Sequence, residues 1–279
     1  MVQVFCVSDI HTDFPSNMEY IKTLPVVADG ILIVCGDISD NINIMESTLS
    51  ILRTKYPIAV FFTPGNHELW VGRSDNCPDS MGKLEAIYNM CRRIGVYVAP
   101  TRINEHLAIF PMLGWHHPSF DEDWEYLQPA EQQEIYENLK PRWGDFRHCK
   151  WDIPNTEVAG RFLKVNEALI DGFRRDNASN YPKNVITFTH FVPRRELLPP
   201  KKVLIHKFLP MVVGTLELDK QLRRAGSTVH VFGHTHIDYD VVIDNVRYVQ
   251  NAFATPNERE GWKKATITGP YMPKLIYHD

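Results

Sequence analysis

The fold is decided by the stretch Gly30-Ile31-Leu32-Ile33-Val34-Cys35-Gly36-Asp37, an apolar run that ends at a glycine and an acid. A short apolar run rich in β-branched residues predicts a strand that is buried on both faces. Residues 2–7 and 58–63 show the same pattern, and after each of the three runs a polar loop leads into a segment able to form a helix. Three such units in succession predict a mostly parallel sheet covered by helices.

The second half of the chain predicts shorter strands and a hairpin, which suggests a second sheet packed on the first. We predict the hairpin at residues 237–249 around Asp244-Asn245, a turn sequence that suits two tightly paired strands. Apolar periodicity gives the remaining elements. They are helices at residues 16–27, 42–55, 80–93, 156–173 and 214–224, and strands at residues 96–98, 107–113, 185–189 and 227–232.

Composition indicates one large globular domain over residues 1–279, with 44% hydrophobic and 23% charged residues. The net charge of -4 and the pI near 6.3 provide no basic field, so nucleic acid is not an expected partner. No signal peptide and no apolar run of about 18 residues occur, which predicts a cytoplasmic protein without a membrane partner. The five cysteines contain no Cys-x-x-Cys pair, and we interpret them as reduced and structural.

Residues 115–155 interrupt the strand-helix pattern and form a cap-like insertion in our interpretation. Between Phe120 and Leu139 there are seven acidic residues and no lysine or arginine, accompanied by Trp124, Tyr126 and Tyr136. Runs of charge usually form a solvated face. The alternative is a cap that overhangs a functional site and influences which substrate is accepted.

Candidate metal ligands follow five of the predicted strands. Because ligands of such sheets gather beyond the carboxyl ends of the strands, these side chains are expected to meet. A single Asp or Asn at a strand end is usually turn chemistry, but several consecutive ends of this kind indicate a site. Gly36 and Gly65 suit close backbone packing there. The motifs are Asp9-x-His11, Gly36-Asp37-x-x-Asp40, Gly65-Asn66-His67-Glu68, His190 and Gly233-His234-x-His236.

In this order the motifs resemble those of the calcineurin-like metallophosphoesterase superfamily. The resemblance extends from residue 4 to residue 236 and implies an α/β fold (α+β by some schemes), a β-sandwich of two mixed sheets flanked by helices. It also implies a cofactor of two divalent or trivalent transition-metal ions. Carboxylate, carboxamide and imidazole ligands together suit Mn, Fe, Zn or Ni better than calcium.

The resemblance further implies a role for each motif residue. Three residues would hold the first ion and three the second, with Asp37 bridging the two. His67 would contact the phosphoryl group and protonate the leaving oxygen, because imidazole exchanges protons near neutral pH. Asp40 would orient His67. The ligands of the first ion would be Asp9, His11 and His236, and those of the second Asn66, His190 and His234.

The chain departs from the protein-phosphatase branch of the superfamily after Asp40. That branch continues with Arg-Gly, whereas here Asn41-Ile42 follows, so a phosphate-gripping arginine is absent from this loop. Phosphate could be held instead by Arg194 or Arg195, or by His117 from the other side of the site. Arginine suits such a contact because its guanidinium binds phosphate through two parallel hydrogen bonds.

The predicted function is hydrolysis of a phosphoric ester by a metal-bound hydroxide, with a small phosphorylated substrate as the partner. The substrate class stays open between a phosphomonoester, a phosphodiester and a nucleotide-type compound. Two ions about 3.5–4 Å apart would supply the hydroxide and clamp the anionic oxygens. The alternatives are a non-catalytic scaffold of the same fold, a phosphoprotein phosphatase and a nuclease.

Overall fold

The first sheet contains the three strands predicted at the start of the chain. The computed structural model describes residues 2–73, 75–261, 263 and 271–279. Strands β1 (Gln3–Val7), β2 (Gly30–Cys35) and β3 (Ala59–Thr63) are parallel neighbours. Strand β10 (Lys274–His278) pairs antiparallel with β1 and makes the sheet mixed, in the order β10-β1-β2-β3. This parallel core places the carboxyl ends of β1, β2 and β3 at one edge.

The second sheet also has a parallel core. Strands β5 (Leu107–Pro111), β6 (Asn184–Phe188), β7 (Ser227–Phe232) and β9 (Val246–Gln250) are parallel. Antiparallel partners β4 (Thr101–Arg102) and β8 (Tyr239–Ile243) complete the order β4-β5-β6-β7-β9-β8. Asp244 and Asn245 join β8 to β9 with positive φ angles of 48° and 66°, the backbone that a tight hairpin turn requires. The predicted hairpin is therefore confirmed.

The two sheets pack face to face and form the predicted β-sandwich. Val4, Cys6 and Ile33 of the first sheet share one apolar core with Ile186 and Val231 of the second. The outer face of the first sheet is covered by α1 (Pro15–Thr23), α2 (Ile42–Lys55) and α3 (Ser80–Arg93). The outer face of the second is covered by α6 (Asn155–Asp176) and α7 (Glu217–Arg224). The predicted fold class is confirmed.

Several local predictions differ from the structure. Residues 96–98 form no strand, although Tyr97 makes an isolated bridge to Phe61. Helix α1 begins at Pro15 rather than Ser16, since proline is well suited to the first helical position. The insertion contains α4 (Pro129–Leu139) and α5 (Asp145–His148), and α8 (Pro256–Glu260) lies beyond the hairpin. Among the described helices, none combines the length and apolar character needed to span a bilayer.

Candidate metal centre

The loops after the parallel strands direct their side chains to one place through unusual backbone conformations. Asp9, His11, Asp37, His234 and His236 have φ angles of 53°, 45°, 56°, 76° and 58°. Residues other than glycine seldom adopt this left-handed region, and such conformations are concentrated at functional sites. Each of these five residues was predicted as a metal ligand, and the structure brings their side chains together.

Two glycines allow these loops to approach each other closely. A Cβ atom on Gly36 would lie 2.4 Å from the amide nitrogen of Gly65 and 2.7 Å from Nδ1 of His190. A Cβ atom on Gly65 would lie 2.2 Å from Oδ1 of Asp37. Distances this short are not tolerated between atoms that are not bonded, so the expectation of close backbone packing at Gly36 and Gly65 is confirmed.

The predicted ligands form two adjoining clusters. Within the first, Nε2 of His11 lies 3.2 Å from Nε2 of His236. Within the second, Nε2 of His190 lies 3.1 Å from Nδ1 of His234. Oδ1 of Asp9 lies 3.4 Å from Nε2 of His236 and 4.0 Å from Nε2 of His190, and therefore connects the clusters. The first cluster comprises Asp9, His11 and His236, and the second Asp37, His190 and His234.

Backbone carbonyl groups fix which imidazole nitrogens face the second cluster. A carbonyl oxygen can only accept, so Nδ1 of His190 donates to the carbonyl of Cys35 at 2.7 Å. Nε2 of His234 likewise donates to the carbonyl of Val212 at 3.0 Å. When a ring is neutral, its other nitrogen therefore directs a lone pair into the cluster. Lone pairs that face each other across 3.1 Å repel unless a proton or a metal ion lies between them.

Asn66 provides a further oxygen that fits a metal ion. Its Nδ2 donates to Oδ1 of Asp145 at 2.8 Å, while its buried Oδ1 has no hydrogen-bond partner among the described residues. Buried polar atoms are nearly always paired, and one left without a partner indicates an ion or water that completes it. The residues present therefore fit the implied metal centre.

The charges of the metal-free site also fit cations. Burial opposes a charge on His236, but Asp9 and Glu258 outweigh it and raise the pKa of His236 to about 10. Burial also opposes a positive charge on His190, but Asp37 and Asp9 outweigh this effect and raise the pKa of His190 to about 9. Both rings therefore carry protons at neutral pH. These protons occupy the positions in which metal ions would offset the carboxylates.

Glu68 is a functional residue to which the sequence interpretation gave no role of its own. Its fully buried carboxylate accepts hydrogen bonds from the backbone amides of Asp37 at 2.8 Å, Ile38 at 2.6 Å and Gly65 at 2.6 Å. One side chain thus ties the loop after β2 to the loop after β3. Its place inside the Gly65-Asn66-His67-Glu68 motif was the only signal in the sequence.

Glu258 of α8 was also missed, and it supports His236. Nδ1 of His236 lies 2.7 Å from Oε2 of Glu258, which leaves Nε2 directed into the first cluster. Carboxylates in this position orient metal-binding imidazoles and increase their basicity. The same Oε2 caps α8 by accepting from the amide and hydroxyl of Thr255 at 3.0 and 2.7 Å. A capping-box sequence, Thr255-x-x-Glu258, was the available signal.

His67 lies beside the clusters, and Trp70 contacts its ring. The ring of His67 stacks on Trp70 with 3.8 Å between centroids, and its Nε2 lies 3.9 Å from Oδ2 of Asp37. The side chain of Asp40 is exposed, and no hydrogen bond or ion pair joins it to His67 in the described structure. Asp40 instead contributes its carbonyl oxygen to Lys83. The residue that packs on the ring of His67 is thus Trp70, and the orienting role of Asp40 stays a prediction.

The three predicted substrate contacts serve other purposes in the structure. Arg194 pairs with Glu196 at 2.5 Å and Asp244 at 2.8 Å, which directs it toward the β8–β9 hairpin. Arg195 donates to the carbonyl oxygens of Phe120 and Ser119, and Nδ1 of His117 bonds the hydroxyl of Ser119. None of Arg194, Arg195 and His117 is among the described residues that line the cleft over the clusters. The contacts of Arg195 and His117 lie within or against the insertion, and the substrate role of the three residues stays a prediction.

The clusters open into a cleft of about 750 Å³ with one apolar wall. Ile205 and Val203 on this wall are 92% and 62% exposed. No lysine or arginine is present among the described lining residues, which include Asp37, Asn66, His67, His206, His234, His236 and Glu258 on the polar side. The apolar side is formed by Trp143, Pro199, Val203, Leu204, Ile205, Leu209 and Ile237.

Comparisons with known proteins are consistent with this geometry. The family model described as calcineurin-like phosphoesterase matches residues 2–238. The [Acyl-carrier-protein] phosphodiesterase PptH of Mycobacterium tuberculosis is 23% identical over 288 residues, which cover 98% of this chain and 86% of that protein. The crystal structure of phosphopantetheinyl hydrolase (PptH) from the same organism superposes with a TM-score of 0.79 at 21% identity. That superposition covers 99% of this chain and 96% of that structure, and it shows a shared fold.

Proposed function

This chain belongs to the calcineurin-like phosphoesterase family and is a phosphoric ester hydrolase, and we propose that it uses two metal ions to cleave a phosphodiester. The observation that carries this proposal is the pair of facing ligand clusters beneath a cleft whose described lining lacks lysine and arginine. The proposal has three parts: the ions, the acid and the substrate.

The first ion would be held by Asp9, His11 and His236, and the second by Asn66, His190 and His234, with Asp37 between them. The short separations inside each cluster and the unpartnered Oδ1 of Asn66 support the ligands of each ion, and Asp37 lies among those of the second. When bound, such ions activate water as a nucleophile and offset the charge of phosphoryl oxygens. The mixture of oxygen and nitrogen donors suits Mn, Fe, Zn or Ni, and it does not distinguish among these four metals.

We assign to His67 the protonation of the leaving oxygen. Its amide donates to Oδ1 of Asp37 at 3.1 Å, so the backbone is held beside the clusters. Its ring lies between Trp70, at 3.8 Å, and His11, at 5.1 Å between centroids. The side chain keeps 30% of its surface exposed in the cleft, which leaves a ring nitrogen accessible to a substrate.

The composition of the cleft favours a diester over a monoester. A phosphomonoester carries a charge of about -1.5 to -2 near neutral pH, whereas a diester carries one negative charge. Enzymes that bind the more highly charged group commonly provide arginine or lysine, and the described cleft lining contains neither. The apolar wall that includes Trp143, Leu204 and Ile205 suits an uncharged, extended group on one side of the phosphate.

The name of the similar protein from Mycobacterium tuberculosis, an acyl-carrier-protein phosphodiesterase, indicates a specific phosphodiester. We propose that the chain removes a phosphopantetheinyl arm from an acyl carrier protein by hydrolysis of the phosphodiester that joins them. The 23% identity extends over 98% of this chain and 86% of that protein, which supports the comparison of the two chains over their length. The arm would lie along the apolar wall, with its phosphate over the two clusters.

The experiment is hydrolysis of a carrier protein charged with phosphopantetheine, followed by intact mass spectrometry after loading the enzyme with Mn, Fe, Zn or Ni. Loss of the arm from the carrier is expected. Bis(p-nitrophenyl) phosphate and p-nitrophenyl phosphate serve as a minimal diester and a minimal monoester. Faster turnover of the monoester than of both diesters would contradict the diester proposal.

His67→Ala distinguishes the acid from a merely structural residue. General acid catalysis is worth about 10²- to 10⁴-fold, and it matters most when the leaving group is a poor one. We expect kcat to fall by that factor on the carrier protein but much less on bis(p-nitrophenyl) phosphate, because p-nitrophenolate leaves readily without protonation. Equal losses on both substrates would refute the role of His67 as the acid.

A further inference from the structure

The insertion contributes one buried carboxylate, that of Asp145, which contacts the proposed metal ligand Asn66. Its Oδ1 accepts hydrogen bonds from Nδ2 of Asn66 at 2.8 Å and from Nε1 of Trp70 at 2.7 Å. Its Oδ2 accepts from Nε1 of Trp143 at 2.8 Å. Asp145 is 0% exposed, and the three donors come from two separate parts of the chain: the loop after β3 and the insertion itself.

The contact with Asn66 decides which end of its amide faces the second cluster. A carboxylate can only accept, so it selects the NH₂ group of Asn66 and leaves the oxygen on the other side. That oxygen is buried and has no other partner among the described residues. Without Asp145 the amide could rotate and present its NH₂ group, which cannot bind a cation.

Through its contact with Trp70, Asp145 also influences the position of His67. The indole N–H of Trp70 is fixed by Asp145, and the face of the indole stacks on the imidazole of His67 at an interplanar angle of 28°. The position of the proposed acid therefore depends on the same carboxylate that orients Asn66. Trp143 completes the arrangement, because it donates to Asp145 and also lines the cleft.

The carboxylate of Asp145 is held by hydrogen bonds from three neutral groups. Among the described residues no lysine or arginine pairs with it, and Nε2 of His116 is 3.6 Å from its Oδ2, too far for a good hydrogen bond. A buried carboxylate supported only by neutral donors is costly unless a cation lies nearby. An ion bound to Asn66 would be that cation.

We propose that Asp145 is a positioning residue of the metal centre: it turns Asn66 toward the second ion and holds His67 through Trp70. This inference rests on the proposed function, because it takes Asn66 to be a ligand. It also gives the insertion a purpose that its acidic sequence did not suggest. The insertion takes part in assembling the second metal site, through its Trp143–Asp145 segment rather than its acidic middle.

The test compares Asp145→Asn with Asp121→Asn, a matched control in the same insertion. Asp121 is also buried at 1% exposure, but its carboxylate pairs with Lys201 at 2.7 Å and contacts no proposed ligand. Mn²⁺ is titrated into each metal-free protein by calorimetry, and the coupling between two bound ions is followed by electron paramagnetic resonance. Supporting groups of this kind change metal affinity by about 10- to 100-fold.

We expect wild type and D121N to bind two coupled ions. In D145N, affinity for the second ion should fall by about 10- to 100-fold and the coupling signal should weaken, while affinity for the first ion stays within about twofold. Unchanged binding of both ions in D145N, or an equal loss in D121N, would overturn the positioning role. Fewer than two ions in wild type would instead refute the proposed function.

A second variant keeps the inference testable if D145N does not fold. Asp145→Glu retains the negative charge but moves the carboxylate by one methylene, which breaks the 2.8 Å contact with Asn66. Positioning by Asp145 requires the second ion to bind more weakly in D145E as well. Wild-type affinity for the second ion in D145E would overturn it, since charge alone would then suffice.

Discussion

Gly65→Ala should disable the metal centre through steric contacts with Asp37 and His190, the shortest of them with the carboxylate of Asp37. The added Cβ would lie 2.2 Å from Oδ1 of Asp37, whereas real Cβ atoms essentially never approach within 3.0 Å. The carboxylate or the loop must therefore shift by at least about 0.8 Å, the difference between these two distances. The φ angle of Gly65 is not positive, so the backbone itself accepts alanine and the contact is the main perturbation.

The size of the effect follows from what Asp37 does. It is the proposed bridge between the ions, and a displacement near 1 Å of a catalytic group can cost about 100-fold in rate. Overpacking should cost about 1–3 kcal/mol of stability, so G65A should still fold. We expect kcat on bis(p-nitrophenyl) phosphate to fall about 100-fold, with reduced metal content by elemental analysis.

Gly160→Ala is the matched control for this experiment. Gly160 lies in α6, and a Cβ there meets no atom within 4 Å. This variant should retain full activity and gain slightly in stability, because alanine favours a helix over glycine by about 0.8–1 kcal/mol. If G65A kept activity within a few fold of wild type and a full metal content, close packing at Gly65 would not be what fixes Asp37.

Two further predictions concern the first ion and the protons of the site. Glu258→Gln keeps an acceptor for the cap of α8 but removes the negative charge beside Nδ1 of His236, so affinity for the first ion at pH 8 should fall roughly tenfold. Glu260→Gln, an exposed change in the same helix, should not alter it, and equal affinities by calorimetry would contradict the role of Glu258. His190 and His236, with raised pKa values of about 9 and 10, hold protons at pH 7 that the ions must displace. Each ion should therefore release about one proton on binding, and it should bind about tenfold more tightly at pH 8 than at pH 7. Calorimetry in buffers of different ionisation enthalpy measures the number of protons released. A value of zero would refute this prediction.

The sequence was most informative where the fold depends on local pattern. Buried parallel strands are short apolar runs, and the loops that follow them carry their ligands within a few residues of the strand end. Asp9 and His11 after β1, and Asp37 after β2, could be placed at one edge for this reason. Gly36 and Gly65 directly precede the candidate ligands Asp37 and Asn66. They could be interpreted together with these ligands because glycine suits a close approach of backbone.

The supporting carboxylates could not be found in the same way. Asp145 reaches Asn66 across 79 positions of the chain, and Glu258 reaches His236 from a helix of five residues beyond the hairpin. Asp145 belongs to no motif, and the capping box that contains Glu258 indicates a helix start rather than a metal site. Asp145 was further obscured by the neighbouring acidic residues, most of which are exposed.

The roles predicted for Arg194, Arg195 and Asp40 depended on sequence position alone. Arg194 and Arg195 lie in a basic loop that leaves a ligand-bearing strand, and composition alone suggested a phosphate site. In the structure, however, nearby carboxylates and carbonyl oxygens occupy both guanidinium groups. Asp40 was assigned by analogy of spacing, but its side chain points to solvent while Trp70 supports His67. The sequence pattern indicates which types of residue lie near a site, whereas packing decides whether a particular side chain faces that site.

The central claim is that one site in this chain holds two metal ions, and counting those ions tests it most directly. The metal-free protein is loaded with Mn²⁺, freed of excess ions by desalting, and analysed for metal and protein in the same sample, with diesterase activity measured alongside. Two ions per chain are expected, with activity rising as the second ion binds. Full diesterase activity with one ion per chain or fewer would contradict the claim.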